Sequence, residues 1–545
     1  MFRIWRKFPF HYLVIIFFVI IVYTITMLSV IRWGIPNTDH PFTYNMDEWH
    51  QLSAVRSVFK HGSPNVAGSA HGSMLQFFLS GIYLIPFVLF KIINPFAIKS
   101  SLDLLSQQEK LFIVLRLNTL LFGVASIIVL AIIAKKYLKI NPVFPVIFFT
   151  FSPIWLSLSN YFKYDIALTF WILLSLWFAF HCTKNPTKKN FWLLGFVSGL
   201  ALATKLSAIP IILFYAAVFF LFPPKKNCLA TFFTGFFVLL ITFLLLGIPD
   251  VLLGRGDYRE FLYTNIIAGP GVSNQVNLGM NYQFYLWFKH YPLVFGYGTF
   301  SLFLLSFFYW FGKFVFIFKK DAWVNYKKQL LLCIGFLLFY SSLIPLKLDG
   351  TGNRVLVLLP FMSLITSQAI DVIACRLKNK RVFLYLIIAL CIFVQLFQSY
   401  LWIHMRLEKS PQQLSSSWAK NHLPKGTVIG IENIPIYQFL PDTMLKEYYE
   451  KERNKNAQTR FAYTVVTEAT GALPGYVVIS DAKLFSKYFP KSSKKRLVNR
   501  LQKNGYKEVA VFSPSFMFYH FIGNDIDYHY AGLLAAPYTL SVYKK

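Results

Sequence analysis

Two acids stand side by side in Tyr44-Asn45-Met46-Asp47-Glu48-Trp49-His50, just beyond the first apolar stretch of the chain. A carboxylate where a chain leaves a bilayer is placed to take a proton from a hydroxyl, a role worth ~10²–10⁴-fold in rate. A third acid, Asp165, follows Asn160-Tyr161-Phe162-Lys163-Tyr164 at the head of another apolar run. Three cations stand in comparable places: Lys205 in Thr204-Lys205-Leu206-Ser207, Arg354 in Gly352-Asn353-Arg354-Val355, and Arg116 six residues into its run. Cations there suit negative charge developing on a departing phosphate. Asp47 as general base, with Glu48 and Asp165 beside it and the three cations on a donor phosphate, describes one group-transfer reaction.

Each residue also has a plainer reading. Glu48 closes a capping box with Asn45, and Asp47 and Asp165 favour the dipole of the helices they open. Lys205 snorkels at a hairpin tip, Arg354 anchors an interface, and Arg116 either snorkels or pairs with a carboxylate. His50, His61 and His71 match no metal spacing and read as surface or packing residues.

The elements that must hold these groups are membrane segments. The 545 residues are 56% hydrophobic and 14% charged, with mean hydropathy +0.50, against roughly a quarter charged in a soluble globule. The 54 Lys+Arg exceed the 23 Asp+Glu, but most basic clusters are short loops between apolar runs, which is positive-inside sorting rather than a nucleic-acid footprint. The first run is too long for a cleaved signal and lacks a small-residue cleavage site. The five cysteines show no ligand spacing and read as buried thiols.

Arg3, Arg6 and Lys7 place the N-terminus in the cytoplasm. Spans are expected near 11–32, 111–134, 142–161, 165–183, 228–247, 291–316, 329–346, 354–374 and 382–402. The run 191–222, ~48 Å as one helix against a ~30 Å core, is expected to split at Thr204–Ser207. That makes eleven crossings, with 74–93 as a juxtamembrane or re-entrant helix and 248–290 as a long outer loop. The residues around and after the acidic pair should lie on the bilayer as a helix by Trp49, Leu52, Val55 or Arg56, and Phe59, with Asp47, His50, Gln51 and Ala54 on another face. The expected domains are a membrane domain at 1–402 and a small extracytoplasmic α/β domain at 403–545. The latter has strands Thr427–Ile431, Tyr476–Ser480, Glu508–Phe512 and Thr539–Tyr543, and helices Gln412–Asn421 and Lys494–Lys503.

Met46-Asp47-Glu48, Leu115-Arg116-Leu117, Lys163-Tyr164-Asp165-Ile166-Ala167-Leu168 and Gly199-Leu200-Ala201-Leu202-Ala203-Thr204-Lys205 together resemble the GT-C glycosyltransferases that use polyprenyl-phosphate sugars. The subgroup they look most like is family 39, the protein mannosyltransferase and aminoarabinose transferase-like enzymes. Arg354-Val355-Leu356-Val357-Leu358-Leu359-Pro360 resembles a further block. The resemblance implies a polytopic GT-C-type helical fold in the cell membrane. It implies transfer of a sugar from a polyprenyl phosphate to a glycan, lipid or protein hydroxyl on the outer face. Catalytic acids at Asp47 and Asp165 and phosphate contact at Lys205 are also implied; displacement in one step would invert the anomeric centre. Leu206 stands where the family usually has Gly. Some GT-C relatives bind a divalent cation between such acids while this subgroup is metal-independent, so the cofactor stays open. The rival class is a transporter or flippase, which predicts charges deep inside spans and symmetry-related halves; neither shows in the sequence.

Overall fold

The computed structural model describes residues 9–36, 43–44, 46–61, 74–94, 101–224, 228–249, 291–317, 325–347, 355–377, 381–432, 447, 450–451, 454–467, 469–480, 491–513 and 539–545. Contacts divide the chain into two compact units. The first holds Met1–Ile31, His50–Lys91 and Val114–Tyr400; the second holds Arg32–Trp49, Ile92–Ile113 and Leu401–Lys545.

Helices follow the apolar runs: α1 (Phe10–Ser29), α2 (Met46–His61), α3 (Met74–Leu89), α4 (Ser101–Ile133), α5 (Val143–Thr150), α6 (Pro153–Ser159), α7 (Tyr164–Lys184), α8 (Lys188–Thr204), α9 (Pro210–Leu221) and α10 (Cys228–Gly247). They continue as α11 (Tyr291–Phe295), α12 (Tyr297–Ile317), α13 (Asn325–Lys347), α14 (Leu359–Arg376) and α15 (Arg381–Leu407). The protein is a multi-pass helical membrane protein with a small C-terminal sheet. Among the described residues six helices are long and apolar enough to cross a bilayer, so the expected count of eleven is not reached there.

Interruptions explain part of the difference. The run 191–222 does split, with α8 ending at Thr204, a 3-10 turn at Leu206–Ala208, and α9 starting on Pro210. The expected single crossing at 142–161 instead breaks at Phe151-Ser152, because Pro153 restarts the helix as α6. Another break separates α11 from α12 at Gly296, whose φ is +98°. The freed backbone groups are met by polar side chains on α15. Gln395 Nε2 donates to the Phe151 and Phe295 carbonyls at 2.8 and 3.0 Å, and Gln398 Nε2 donates to Leu293 O at 2.9 Å. In a bilayer an interrupted backbone persists where such partners exist.

Helix α8 packs on α10 through Gly195 and Gly235: a Cβ on Gly195 would lie 2.1 Å from the Gly235 carbonyl. Only small residues allow that approach, and it fixes the helix that ends at Lys205. Helix α3 meets α8 through Leu75, Leu200 and Ala203. Its 16 residues reach ~24 Å, short of the hydrocarbon core. In α2 both expected faces are covered: Gln51 and Ala54 are as buried as Leu52 and Val55. The picture of a helix resting by one stripe is therefore corrected. Cys182 and Cys333 are buried, but Cys375 is exposed, against the expectation of buried thiols throughout.

In the second unit, α16 (Pro411–His422) starts with a capping box between Ser410 and Gln413. It leads to β1 (Val428–Ile431), β2 (Ala462–Val465), β3 (Tyr476–Ser480), α17 (Lys491–Lys503), β4 (Lys507–Phe512) and β5 (Leu540–Lys544). The strand order is β2-β1-β3-β5-β4, parallel among the first three and antiparallel at β5. Strand β2 is an addition to the expected four. Alternation sends Val478 towards Ala419 of α16 and Leu423 just after it, and Val477 and Ile479 towards Leu497 and Leu501 of α17. The sheet is thus covered on both faces. The loop expected at 248–290 lies, apart from Ile248 and Pro249, outside the described residues.

Candidate functional site

The sequence after α6 turns sharply, and Asp165 enters the first turn of α7. There the carboxylate lies in the favourable field of the helix N-terminus. At the opposite break, Lys205 caps α8 in an extended conformation that the helix cannot continue, which turns its side chain out of the helical row. The two meet: Lys205 Nζ donates to Asp165 Oδ1 at 2.6 Å. Lys205 Nζ also lies 4.7 Å from the centre of the Tyr164 ring. Lys163 approaches from the other side, its Nζ 4.0 Å from Asp165 Oδ2.

Burial makes this pair costly. The side chains of Asp165 and Lys163 are each 1% exposed, and that of Lys205 13%. A buried ion pair repays its desolvation only with good geometry and further hydrogen bonds, so such a pair is weak evidence for stability alone. Nearby in the chain, Asn160 and Ser207 hold buried polar atoms without a protein hydrogen-bond partner. Orphaned polar groups beside a buried ion pair are what a polar ligand would satisfy.

Arg116 is buried within α4 and does not snorkel. Its Nη1 donates to the Ile31 carbonyl at 2.6 Å, beyond the last turn of α1, and its guanidinium lies 5.4 Å from the Tyr161 ring centre. The arginine thus ties the end of α1 to the segment that carries Asp165.

Within the second unit, Asp47 and Glu48 fall in the first turn of α2. Glu48 is fully buried. The helix entry is fixed by a residue to which sequence reasoning gave no role: Tyr44. Its amide donates to Gly34 O at 3.0 Å, its ring packs on Trp33 at 5.1 Å, and its hydroxyl shares a 2.8 Å hydrogen bond with Ser410. Gly34 has φ +64°, and a Cβ there would lie 2.8 Å from the Tyr44 ring. An aromatic at a membrane boundary is common, so only the turn at Gly34 could have marked Tyr44 out. The side chains of Asp47, His50 and His61, and all of Asn45, His71 and Arg354, lie outside the described residues.

Among the described residues no group of three or more His, Cys, Asp or Glu could hold a metal ion. Asp165 already faces an ammonium at 2.6 Å, a neighbour that opposes a divalent cation on the same carboxylate. The described part of the site does not fit a resident metal.

Residues 77–251 match the model of the family described as Dolichyl-phosphate-mannose-protein mannosyltransferase. That stretch contains the Arg116, Asp165 and Lys205 blocks on which the resemblance was drawn. Among curated proteins no match was found. Similar solved structures include ArnT from Cupriavidus metallidurans bound to undecaprenyl phosphate, at 12% identity, with 98% of each chain covered and a TM-score of 0.47. They also include the Archaeoglobus fulgidus oligosaccharyltransferase in complex with Zn and sulfate, at 12% identity, covering 86% of this chain and 69% of that one, with a TM-score of 0.43. The S. cerevisiae protein O-mannosyltransferase Pmt1-Pmt2 complex bound to the sugar donor gives 16% identity, 48% and 36% coverage, and a TM-score of 0.30.

Proposed function

We propose that this chain is a membrane glycosyltransferase that moves a sugar from a polyprenyl-phosphate-linked donor to an acceptor hydroxyl on the extracytoplasmic face. The observation that carries the reading is the 2.6 Å Asp165–Lys205 pair, built at two helix ends inside the stretch that matches the mannosyltransferase family. A sugar phosphate has a good leaving group, so little protonation of the departing oxygen is needed. The enzyme must remove the acceptor proton and hold the charge that gathers on the phosphate.

Lys205, the more exposed partner of the pair, faces that charge, with Arg354 as a second cation. Asp165 holds the ammonium in place. Asp47 takes the acceptor proton, the hydroxyl oxygen attacks the anomeric carbon, and the carbon–phosphate-oxygen bond breaks with its electron pair leaving on the phosphate. One displacement inverts the centre. Glu48, buried beside Asp47 in α2, orients the helix start, and Arg116 supports the segment leading to Asp165.

The test is transfer by the purified protein from labelled polyprenyl-phosphate hexoses, comparing wild type with Asp47→Asn. The expected result is a loss of about 10²-fold or more in the variant. Equal transfer by both removes Asp47 as base, and no transfer from any donor hands the scaffold to the transporter reading.

A further inference from the structure

Residues 403–545 hold 20 Lys or Arg against 11 Asp or Glu, and residues 482–507 hold nine basic residues and no acid. Positive-inside sorting concerns cytoplasmic loops, so it does not account for a basic excess in a domain read as extracytoplasmic. The sheet geometry collects part of that excess at one end. Register sets Lys507 of β4 directly opposite Lys544 of β5, a like-charge pair that costs stability. Tyr476 of β3 completes the row, with Lys544 Nζ 5.6 Å from its ring centre. Because β1 runs parallel to β3, the turn at Lys425-Gly426 before β1 falls at this same end. Helix α17 feeds β4 through Asn504-Gly505-Tyr506 and brings Lys503 there too.

Lys425, Lys503, Lys507 and Lys544 are all exposed. The neighbouring acid Glu508 alternates to the other side of the sheet, where it bonds Tyr543. Glu447 is also engaged: it accepts from the Arg460 and Phe461 amides and from the Tyr463 hydroxyl. An unfavourable cross-strand pair of lysines with the local acids turned elsewhere is the arrangement a polyanion would neutralise.

We infer that this end of the sheet binds a soluble polyanion, and that its natural occupant is an acceptor glycan bearing phosphate or carboxylate groups. The occupant, though not the surface, rests on the glycosyltransferase reading. Bilayer headgroups are the poorer match. Lysines acting as separate point charges suit a flexible chain of anions better than one planar group.

The experiment uses the full-length protein in nanodiscs of zwitterionic lipid, with inorganic polyphosphate as the probe and no donor present. Wild type should bind with affinity that falls steeply between about 50 and 200 mM salt. Lys507→Ala/Lys544→Ala should weaken binding about tenfold and flatten the salt slope, while Lys188→Ala/Lys189→Ala, removing equal charge elsewhere, should change it less than about twofold. Removing a like-charge pair carries little folding risk, and the thermal midpoint should hold or rise. Absence of polyphosphate binding, or equal loss in both double variants, overturns the proposal. So does a double variant that keeps polyphosphate affinity but loses binding to vesicles of anionic lipid, which would make the bilayer the occupant. Sugar transfer is not read in this assay, so its failure and that of the transferase reading remain separate results.

Discussion

Asp165 and Lys205 allow a working ion pair to be told from a structural one. Removing one partner of a buried pair leaves an uncompensated charge and costs ~3–5 kcal/mol, while replacing both with apolar or neutral groups is often close to neutral. Asp165→Asn and Lys205→Met should therefore each lower the thermal midpoint in detergent, and the combined variant should recover most of it. Transfer should stay at least ~10²-fold down in all three, because the phosphate then lacks either its cation or the carboxylate that holds that cation in place. Transfer regained in the combined variant would reduce the pair to packing. In the sequence both residues stood out as charges at the ends of apolar runs. Their contact did not, since forty positions separate them and no local rule couples two helix ends. Lys163 was given no role of its own in the sequence, yet its Nζ lies 4.0 Å from Asp165. Arg116 is buried rather than snorkelling, and one of its acceptors is a backbone carbonyl that no side-chain pattern announces.

The polar row Gln395, Gln398 and Ser399 on α15 shows what hydropathy misses at the level of elements. Ser399 Oγ and Gln395 Nε2 both donate to the Phe151 carbonyl at the α5–α6 break. Gln395 Oε1 further accepts from the Thr299 amide at 3.3 Å, past the α11–α12 break. Gln395→Leu strands carbonyls that lipid cannot satisfy, and each buried group left unpaired costs about 1–3 kcal/mol. The variant should unfold at lower temperature in detergent, and by more than Ser399→Ala, since the glutamine serves both breaks. An unchanged midpoint would mean that the breaks are held by packing alone. Length made the 191–222 split legible, because one helix of that run overshoots the bilayer. The 142–161 break was not, since Phe151, Ser152 and Pro153 barely lower the apolar average of their window. Strand β2 was readable in Phe461-Ala462-Tyr463-Thr464-Val465-Val466 but follows a long polar run that masks it.

For the whole molecule, the proposed sidedness rests on charge bias and one long helix. On that proposal Arg376, Lys378, Lys380 and Arg381 belong to a cytoplasmic loop, and α15, whose 27 residues reach ~40 Å and exceed the hydrocarbon core, carries the chain away from it. The chain provides its own reference, because Cys375 is exposed at the end of α14 next to that loop. Ser417 is exposed on α16, whereas Ser415 beside it is buried and would report poorly. In intact cells a membrane-impermeant maleimide should therefore label Ser417→Cys at once and reach Cys375 only after permeabilisation. Cys375→Ser in the same background should remove the permeabilisation-dependent signal and leave the other. The reverse pattern would place the sheet and its basic end in the cytoplasm, where no outer acceptor could reach them. Labelling of both residues without permeabilisation would mean that α15 does not cross, despite its length.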